Sequence, residues 1–216
     1  MFQTEKELVL TLKSVLEDFN SSAYVEIFDE VSLGYGIADL VVSNFSYSKC
    51  RWGANKSLLN SNDINIYSIV EKEEGIDFIK IIELTRQSNS TIRKSITKLV
   101  EYEYILKKND CYFINNPYQV SFESLYAIEA KLRNWKRALK QAYRYKWFAD
   151  YSYVVLDYYH INKALEELDA FKKYNVGLAS VSIDGSLIRH YKPKREKPYD
   201  SKMRALFSEK TKLATS

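Results

Sequence analysis

A long interruption between two predicted strands constrains the fold of this chain more than any other feature. Apolar residues favour strands over 36–44 and over 124–132, but nearly eighty residues separate Asn44 from Ser124. A compact domain normally joins neighbouring strands with far fewer residues. We therefore expect the intervening segment to fold on its own, as an insertion within a larger domain.

Outside this interruption, helix and strand patterns alternate along the chain. Apolar residues recur at helical spacing over 4–19, where Thr4 and Glu7 are placed to form a capping box. The other predicted elements are strands at 23–31, 36–44, 124–132 and 151–158, helices at 134–150 and 162–174, a turn at Gly34-Tyr35-Gly36 and a last hairpin that turns at Asp184-Gly185. Mixed strands and helices in this order predict an α/β sandwich around a mixed sheet.

Three helices and a β-hairpin are predicted within the insertion. The pattern gives helices at 62–75, 76–87 and 88–105, the third with Ser90 as its N-cap, and a hairpin that turns at Asn109-Asp110. This order resembles the winged helix-turn-helix family, which implies that the start of the third helix contacts DNA. The cations implied in that contact are Arg93, Lys94 and Lys98. The residues alone also allow a merely solvated helix face, with the insertion used for dimerisation or packing.

Positive charge is concentrated in two parts of a chain whose net charge is only +4. Residues 131–146 hold seven Lys/Arg and no Asp/Glu, and residues 189–216 hold nine against three. Residues 1–30 have the opposite balance, with two cations and seven acids. We therefore expect one basic surface, which suits a polyanionic partner.

No segment of the sequence is typical of a membrane or secreted protein. The start of the chain lacks a cationic stretch followed by a long apolar run, and no apolar stretch approaches bilayer length. Cys50 and Cys111 form no CxxC pair and no zinc constellation with His160 and His190. We therefore expect a cytoplasmic protein without a membrane partner, a disulfide or a structural zinc.

Asp39 and the triplet Glu129-Ala130-Lys131 are the candidate chemical groups. Side chains alternate between the faces of a strand, so Glu129 and Lys131 point one way and the apolar residues that alternate with them point the other. Asp39 interrupts the apolar strand "GIADLVV", and a buried carboxylate is costly unless it is paired or binds a metal. Asp39 and Glu129 together can bind Mg²⁺ through oxygen ligands.

Asp39 in "GIADLVV", "EAK" at 129–131 and the order of elements resemble the PD-(D/E)XK, or restriction endonuclease-like, nuclease superfamily. The resemblance implies an αβββαβ core formed by 1–45 and 120–216, with 46–119 as the inserted winged helix. It also implies that Asp39, Glu129 and the Ala130 carbonyl hold Mg²⁺, while Lys131 orients the attacking water and stabilises charge. Ala38 stands where the motif name has proline, a departure that touches no ligand.

The helix after Lys131 carries a second similarity. Gln141 and Tyr145 lie four residues apart on one helical face. Q-x-x-x-Y after "ExK" resembles a motif of the RecB-like and Holliday-junction-resolvase-like branches, which implies that both residues position the substrate for catalysis. The same helix carries cations that can approach phosphates, among them Arg133, Arg137 and Arg144.

Glu7 has two explanations. The superfamily often uses a glutamate of the first helix as an extra ligand or to position water, which implies a catalytic role. The Thr4–Glu7 capping box accounts for the same residue without any chemistry. Both explanations stay open at the level of the sequence.

The resemblance implies a metal-dependent endonuclease that hydrolyses phosphodiester bonds with Mg²⁺, or with Mn²⁺ in its place. DNA is the expected partner, RNA stays open, and cutting two strands with one site per chain would favour a homodimer. Targeted cleavage through a winged helix would suit defence or mobile-element processing. The alternative is a catalytically inactive DNA-binding regulator or assembly factor built on the same fold.

Overall fold

The computed structural model describes residues 1–19, 25–34, 36–45 and 58–214. Tyr35 of the predicted turn and Cys50 lie outside these residues. The chain divides into two compact units, the first from Met1–Tyr47 and Phe122–Asp200 and the second from Ser48–Ser121 and Ser201–Ser216. The described residues form a six-stranded mixed sheet, a three-stranded antiparallel sheet and eight helices, which confirms the predicted mixed α/β class.

The helices and strands follow one another as predicted over most of the chain. In chain order they are α1 (Glu5–Phe19), β1 (Val25–Ser32), β2 (Ile37–Phe45), α2 (Ser61–Lys72), β3 (Ile76–Asp77), α3 (Phe78–Thr85), α4 (Asn89–Glu101), β4 (Ile105–Lys108), β5 (Cys111–Ile114), β6 (Phe122–Lys131), α5 (Trp135–Arg144), β7 (Tyr151–Asp157), α6 (Asn162–Glu166), α7 (Leu168–Tyr174), β8 (Gly177–Val181), β9 (Leu187–Tyr191) and α8 (Ser201–Ala214). Short 3-10 turns follow α5 at Tyr145–Trp147 and β7 at Tyr158–His160.

The sheet of the first unit has the strand order β1-β2-β6-β7-β8-β9. β6, β7 and β8 run parallel, and the other neighbours are antiparallel. β2 pairs with β6, with Leu40 opposite Ile128, although the chain between these strands forms most of the second unit. The parallel strands are connected by α5 and by α6 with α7, since a parallel connection needs a crossover of this length.

The two faces of this sheet are covered by different helices. Leu40 and Ile128 belong to a buried cluster that includes Leu8 and Leu12 of α1. On each strand, the residues next to these positions point to the opposite face of the sheet. There α5 packs against β6 and β7, with its Leu139 buried. Each such buried leucine stabilises the fold by about 1.5–3 kcal/mol, so the sheet is fixed from both sides.

Side-chain caps determine where α1 and α5 begin. The Thr4 hydroxyl accepts the Glu7 N–H at 3.1 Å, and the Glu7 carboxylate accepts the Thr4 N–H at 3.2 Å, which confirms the predicted capping box. At the start of α5, the Asn134 side chain accepts the Arg137 N–H at 3.1 Å. α5 ends at Arg144 rather than at the predicted residue 150, because the chain tightens into a 3-10 turn before β7.

α2 and α4 of the second unit also begin at side-chain caps. Asn60 and Asp63 form a reciprocal capping box at the start of α2. The N-cap of α4 is Ser88 rather than the predicted Ser90, because the Ser88 hydroxyl accepts the Thr91 N–H at 3.3 Å. Each such cap is worth about 0.5–2 kcal/mol.

The small sheet of the second unit has the strand order β3-β5-β4. The predicted helix at 76–87 begins only at Phe78, because Ile76 and Asp77 pair with β5. Asn109 and Asp110 have φ of 47° and 63°, as a two-residue type I′ hairpin turn requires. The hairpin predicted at this position is therefore confirmed.

The last helix belongs to the second unit, which corrects the prediction that all of 120–216 lies in the first. Ala205 and Leu206 of α8 pack into the apolar cluster of the second unit. The Glu209 carboxylate accepts the Leu59 N–H at 2.8 Å and the Tyr118 hydroxyl at 2.5 Å. α8 is therefore part of that unit's core, and the first unit ends at residue 200.

Candidate active site

Neighbouring strands hold Asp39 and Glu129 side by side. The antiparallel pairing of β2 and β6 places Leu40 opposite Ile128, so Asp39 and Glu129 form the next pair, on the opposite face of the sheet. Asp39 Oδ2 accepts the Ala130 N–H at 2.7 Å, which fixes the orientation of its carboxylate. The Glu129 side chain is only 1% exposed and that of Asp39 26%. One acid is thus buried and the other remains open to solvent.

The Lys131 ammonium lies among four oxygen atoms. Its Nζ is 3.0 Å from Glu129 Oε1, 3.1 Å from the Ala130 carbonyl oxygen and 3.1 Å from Glu5 Oε2. Asp39 Oδ2 is slightly farther away, at 3.6 Å. The candidate acids predicted from β2 and β6 therefore converge with Lys131 on one point at the end of β6.

Burial and charge act in opposite directions on this cluster. Burial raises the pKa of Asp39, against the Ala130 N–H and Lys131, which lower it. Burial also raises the pKa of Glu129, against the lowering effect of its hydrogen bond with Tyr145. Burial lowers the pKa of Lys131, but the hydrogen bond and charge of Glu129 and the charge of Asp39 outweigh it, so the net shift is upward. The lysine is therefore held as a cation.

The donor set of the cluster fits a divalent cation. Carboxylate and carbonyl oxygens are the ligands that Mg²⁺ prefers, and the four that surround Lys131 Nζ already enclose one positive charge. The ionised carboxylates of Glu5, Asp39 and Glu129 carry two more negative charges than the one positive charge of Lys131 neutralises. Among the described residues, no group of three His, Cys, Asp or Glu side chains could hold a metal by itself. A Mg²⁺ ion bound by Asp39, Glu129 and the Ala130 carbonyl oxygen would have water in its remaining coordination positions.

Tyr145 contacts one of the acids, and Gln141 precedes it by about one helical turn. The Tyr145 hydroxyl is within hydrogen-bonding distance of Glu129 Oε2 and lies 2.7 Å from the carbonyl oxygen of Ile37. Its side chain is almost fully buried, so Tyr145 holds Glu129 in place. Gln141 Oε1 is buried and has no hydrogen-bond partner among the described residues. An unpaired buried acceptor is costly, which is typical of a group whose partner is a ligand or water.

Glu5, rather than Glu7, is the glutamate of the first helix that contacts the site. The Glu7 carboxylate accepts the Gln3 N–H at 2.8 Å in addition to the Thr4 N–H, so the helix cap occupies it. Glu5 lies two residues earlier and therefore points to another side of α1, where it meets Lys131. No pattern in the sequence singled out Glu5. Its place in the first turn of α1, beside Glu7, was the one available signal.

The predicted cations of α5 and its approach are exposed. Arg133, Arg137 and Arg144 all lie at the surface of the first unit. The described part of the chain provides no acidic ion-pair partner for any of the three. These guanidinium groups thus keep their charge at the surface on and beside α5, the helix that directly precedes Tyr145 and its contact with Glu129.

The cations of α4 fall into two groups. Arg93 and Lys94 are exposed, and the Arg93 guanidinium lies 4.4 Å from the centroid of the Phe78 ring. Lys98 instead forms an ion pair with the buried Asp63 at 3.1 Å and donates to the Leu58 carbonyl. Lys98 therefore has a structural role within its unit and is not one of the exposed, unpaired cations of α4.

The chain matches no protein-family model, no curated protein and no solved structure. Within the described ranges, no helix has both the length and the apolar character that crossing a bilayer requires. A functional assignment for this chain therefore depends on the chemistry of its own side chains.

Proposed function

We propose that this protein is a Mg²⁺-dependent nuclease that hydrolyses phosphodiester bonds of DNA, built on a restriction endonuclease-like core. One observation carries the proposal: the oxygens of Glu5, Asp39, Glu129 and Ala130 converge around Lys131 Nζ. The exposed arginines of the adjoining helix extend the same region with positive charge. Acids that hold a cation and bases that hold phosphates meet on one unit, as cleavage of a polyanion requires.

Each side chain of the site has a task in this proposal. Asp39, Glu129 and the Ala130 carbonyl would hold Mg²⁺, which when bound polarises a phosphoryl oxygen and activates water. Lys131 keeps a positive charge beside the oxygens, where it stabilises the negative charge that develops on the phosphate. Tyr145 fixes Glu129, and the unpaired Oε1 of Gln141 accepts a hydrogen bond from the substrate or from an ordered water.

The second unit supports substrate binding in this proposal. Its helices and hairpin follow the order of a winged helix, and Arg93 and Lys94 are exposed on the helix that would enter the major groove. Replacing both by Ala should weaken DNA binding and reduce its log–log salt slope by about 0.9 per lost phosphate contact. Salt titrations of the two proteins that give parallel lines of equal affinity would remove the second unit from DNA binding.

Cleavage of supercoiled plasmid and of end-labelled oligonucleotides, with Mg²⁺ and with EDTA, tests the proposal. Asp39→Asn, Glu129→Gln and Lys131→Ala should each abolish metal-dependent cleavage, because each removes a charge from the cluster and leaves the exposed arginines unchanged. DNA affinity measured in EDTA should stay close to that of the native protein. Ile183→Ala, at an exposed position on the β8–β9 turn, is the matched control and should cleave normally.

Native protein that binds DNA but never cleaves it, with Mg²⁺ or Mn²⁺, would contradict the enzyme assignment. That result would favour the DNA-binding regulator on the same fold. Cleavage that survives in both Asp39→Asn and Glu129→Gln would instead show that a nuclease is present but that its site lies elsewhere.

A further inference from the structure

Four large aromatic side chains are exposed together on the first unit. Tyr143 and Tyr174 are each 42% exposed, Trp147 is 38% exposed and Tyr199 is 56% exposed. They come from the end of α5, the 3-10 turn after it, the end of α7 and the segment that follows β9. We call these four side chains the aromatic patch.

The four rings form one continuous surface. The Tyr143 and Tyr174 centroids lie 5.5 Å apart with the rings 70° to each other, and those of Trp147 and Tyr199 lie 5.9 Å apart at 84°. The Tyr199 N–H donates to the Lys146 carbonyl oxygen at 3.1 Å, and the Lys146 ammonium lies 5.3 Å from the Tyr143 centroid, so the two pairs adjoin. Edge-to-face pairs occupy the edge of one ring and one face of the other. The exposed fractions of Tyr174 and Tyr199 nevertheless leave part of each ring open to solvent, where a planar partner can stack.

The charge around the aromatic patch is mostly positive. Arg144, Lys173 and Lys197 are exposed and lie within two residues of a patch ring along the chain. The Lys173 ammonium lies 5.7 Å from the Tyr174 centroid. Of the acids within three residues of a patch ring in the sequence, Glu196 pairs with the buried Lys146 at 2.7 Å, Asp150 pairs with Arg195 at 3.1 Å, and Asp200 is partly buried. The exposed rim of the patch is thus cationic.

We propose that the aromatic patch binds single-stranded DNA by stacking its unpaired bases on the exposed rings. Stacking needs open base faces, which a single strand offers and a duplex hides within its own stack. The exposed lysines and Arg144 suit the phosphates between those bases, whereas the cores of protein interfaces are depleted of lysine. The proposal deepens the proposed function, because it names the form of nucleic acid, and it rests on that function only where cleavage is concerned.

Along the chain, one residue of the patch is a close neighbour of a residue of the candidate active site. Tyr143 and Arg144 directly precede Tyr145, whose hydroxyl contacts Glu129. A strand whose bases stack on Tyr143 would have its backbone close to the basic residues of α5.

Fluorescence anisotropy with labelled oligo(dT) and a blunt duplex of equal length, both in EDTA, tests the proposal without any cleavage. The native protein should bind the single strand more tightly than the duplex. Tyr174→Ala and Tyr199→Ala should each weaken single-strand binding by about 5- to 150-fold, the range for one lost base stack. Duplex binding and the salt slope should not change, because stacking neutralises no phosphate.

Conservative variants and a matched control separate stacking from general damage. Tyr174→Phe and Tyr199→Phe keep the ring and should bind like the native protein, and Ile183→Ala removes an exposed apolar side chain elsewhere on the unit. Unfolding temperatures of all variants identify any that fail to fold, and the Phe pair keeps the comparison decisive.

Two results would overturn the proposal. One is equal single-strand affinity in the native and Ala variants. The other is a native dimer in sedimentation equilibrium that the Ala variants lose while single-strand binding is unchanged, which would make the patch an interface between copies of this chain. Absence of cleavage would bear on the proposed function alone, since binding is measured without metal.

Discussion

Glu5 and Glu7 lie two residues apart in the first turn of α1. Replacing each of them separately distinguishes an effect on the proposed catalysis from an effect on folding. Glu5 Oε2 lies 3.1 Å from Lys131 Nζ, and its side chain is half exposed. Glu7 accepts the Gln3 and Thr4 N–H groups and has its part in the capping box. Glu5→Gln and Glu7→Ala should therefore fail in different assays.

The expected stability changes follow from these contacts. Glu7→Ala removes the acceptor of two N–H groups and should cost about 1–2 kcal/mol. In a chain of 216 residues, each kcal/mol lowers the unfolding temperature by about 2–4 °C. Glu5→Gln removes a solvent-screened ion pair, which is worth about 0–1 kcal/mol, so its unfolding temperature should hardly change. Glu7→Gln keeps an acceptor at the cap and is the matched control.

For cleavage we expect the opposite: Glu5→Gln should lose activity and Glu7→Ala should keep it. Removing a group that orients a metal-site residue typically costs about 10- to 100-fold in activity or metal affinity, and Glu5→Gln should fall in that range. Glu7→Ala should cleave at the native rate at a temperature well below its unfolding transition. Single-turnover cleavage of a labelled oligonucleotide at saturating Mg²⁺, together with thermal unfolding followed by circular dichroism, gives both quantities.

One pattern of results would refute this assignment. If Glu7→Ala loses cleavage without losing stability, while Glu5→Gln cleaves normally, then the capping contact does not describe the working enzyme and Glu7 acts at the site. Loss of cleavage in both variants with unchanged unfolding temperatures would show that the whole first turn of α1 serves the site.

Three further predictions concern other parts of the chain. Lys98→Ala should destabilise the second unit by about 1–3 kcal/mol in urea unfolding, because it leaves the buried Asp63 without its counter-charge, and an unchanged midpoint would contradict the pairing. Gln141→Ala should slow cleavage at saturating DNA without lowering the unfolding temperature, since its buried Oε1 makes no internal hydrogen bond that would be lost. Deleting 48–118 alone should give an aggregating protein, because α8 would expose its apolar face, whereas deleting 201–216 as well should give a soluble first unit. Solubility and light scattering of the two deletion variants distinguish these outcomes.

Periodicity predicted the first unit well because each of its elements buries one face. The alternating residues of 124–132 correspond to β6, and the capping box of α1 is observed with both of its reciprocal hydrogen bonds. Helix ends were predicted less well. The predicted helix at 162–174 is interrupted at Glu167, whose φ of −109° departs from helical geometry. An interruption of this kind is set by how the chain returns to the sheet, which periodicity does not report.

The candidate site was predictable only where its residues share a strand or a helix. Glu129 and Lys131 lie on one face of β6 by alternation, and helical spacing relates Gln141 of α5 to Tyr145, the residue that follows the helix. The contact between Glu5 and Lys131 joins residues 126 positions apart, and no local pattern encodes it. The sequence therefore identified side chains with the right chemistry, but it could not decide which glutamate of α1 reaches them.

The cations show the same limit from the opposite direction. A count of positive charge treats Lys98 like Arg93, although one is bound to a buried aspartate and the other is exposed. A lysine is available to a phosphate only if its ammonium group does not already form an ion pair with a carboxylate of the same chain. Asp63 gave no sign of this role in the sequence, because its partner lies on another helix. The proposed DNA-binding surface is therefore defined by the cations that the fold leaves without an internal carboxylate partner, which on α4 are Arg93 and Lys94.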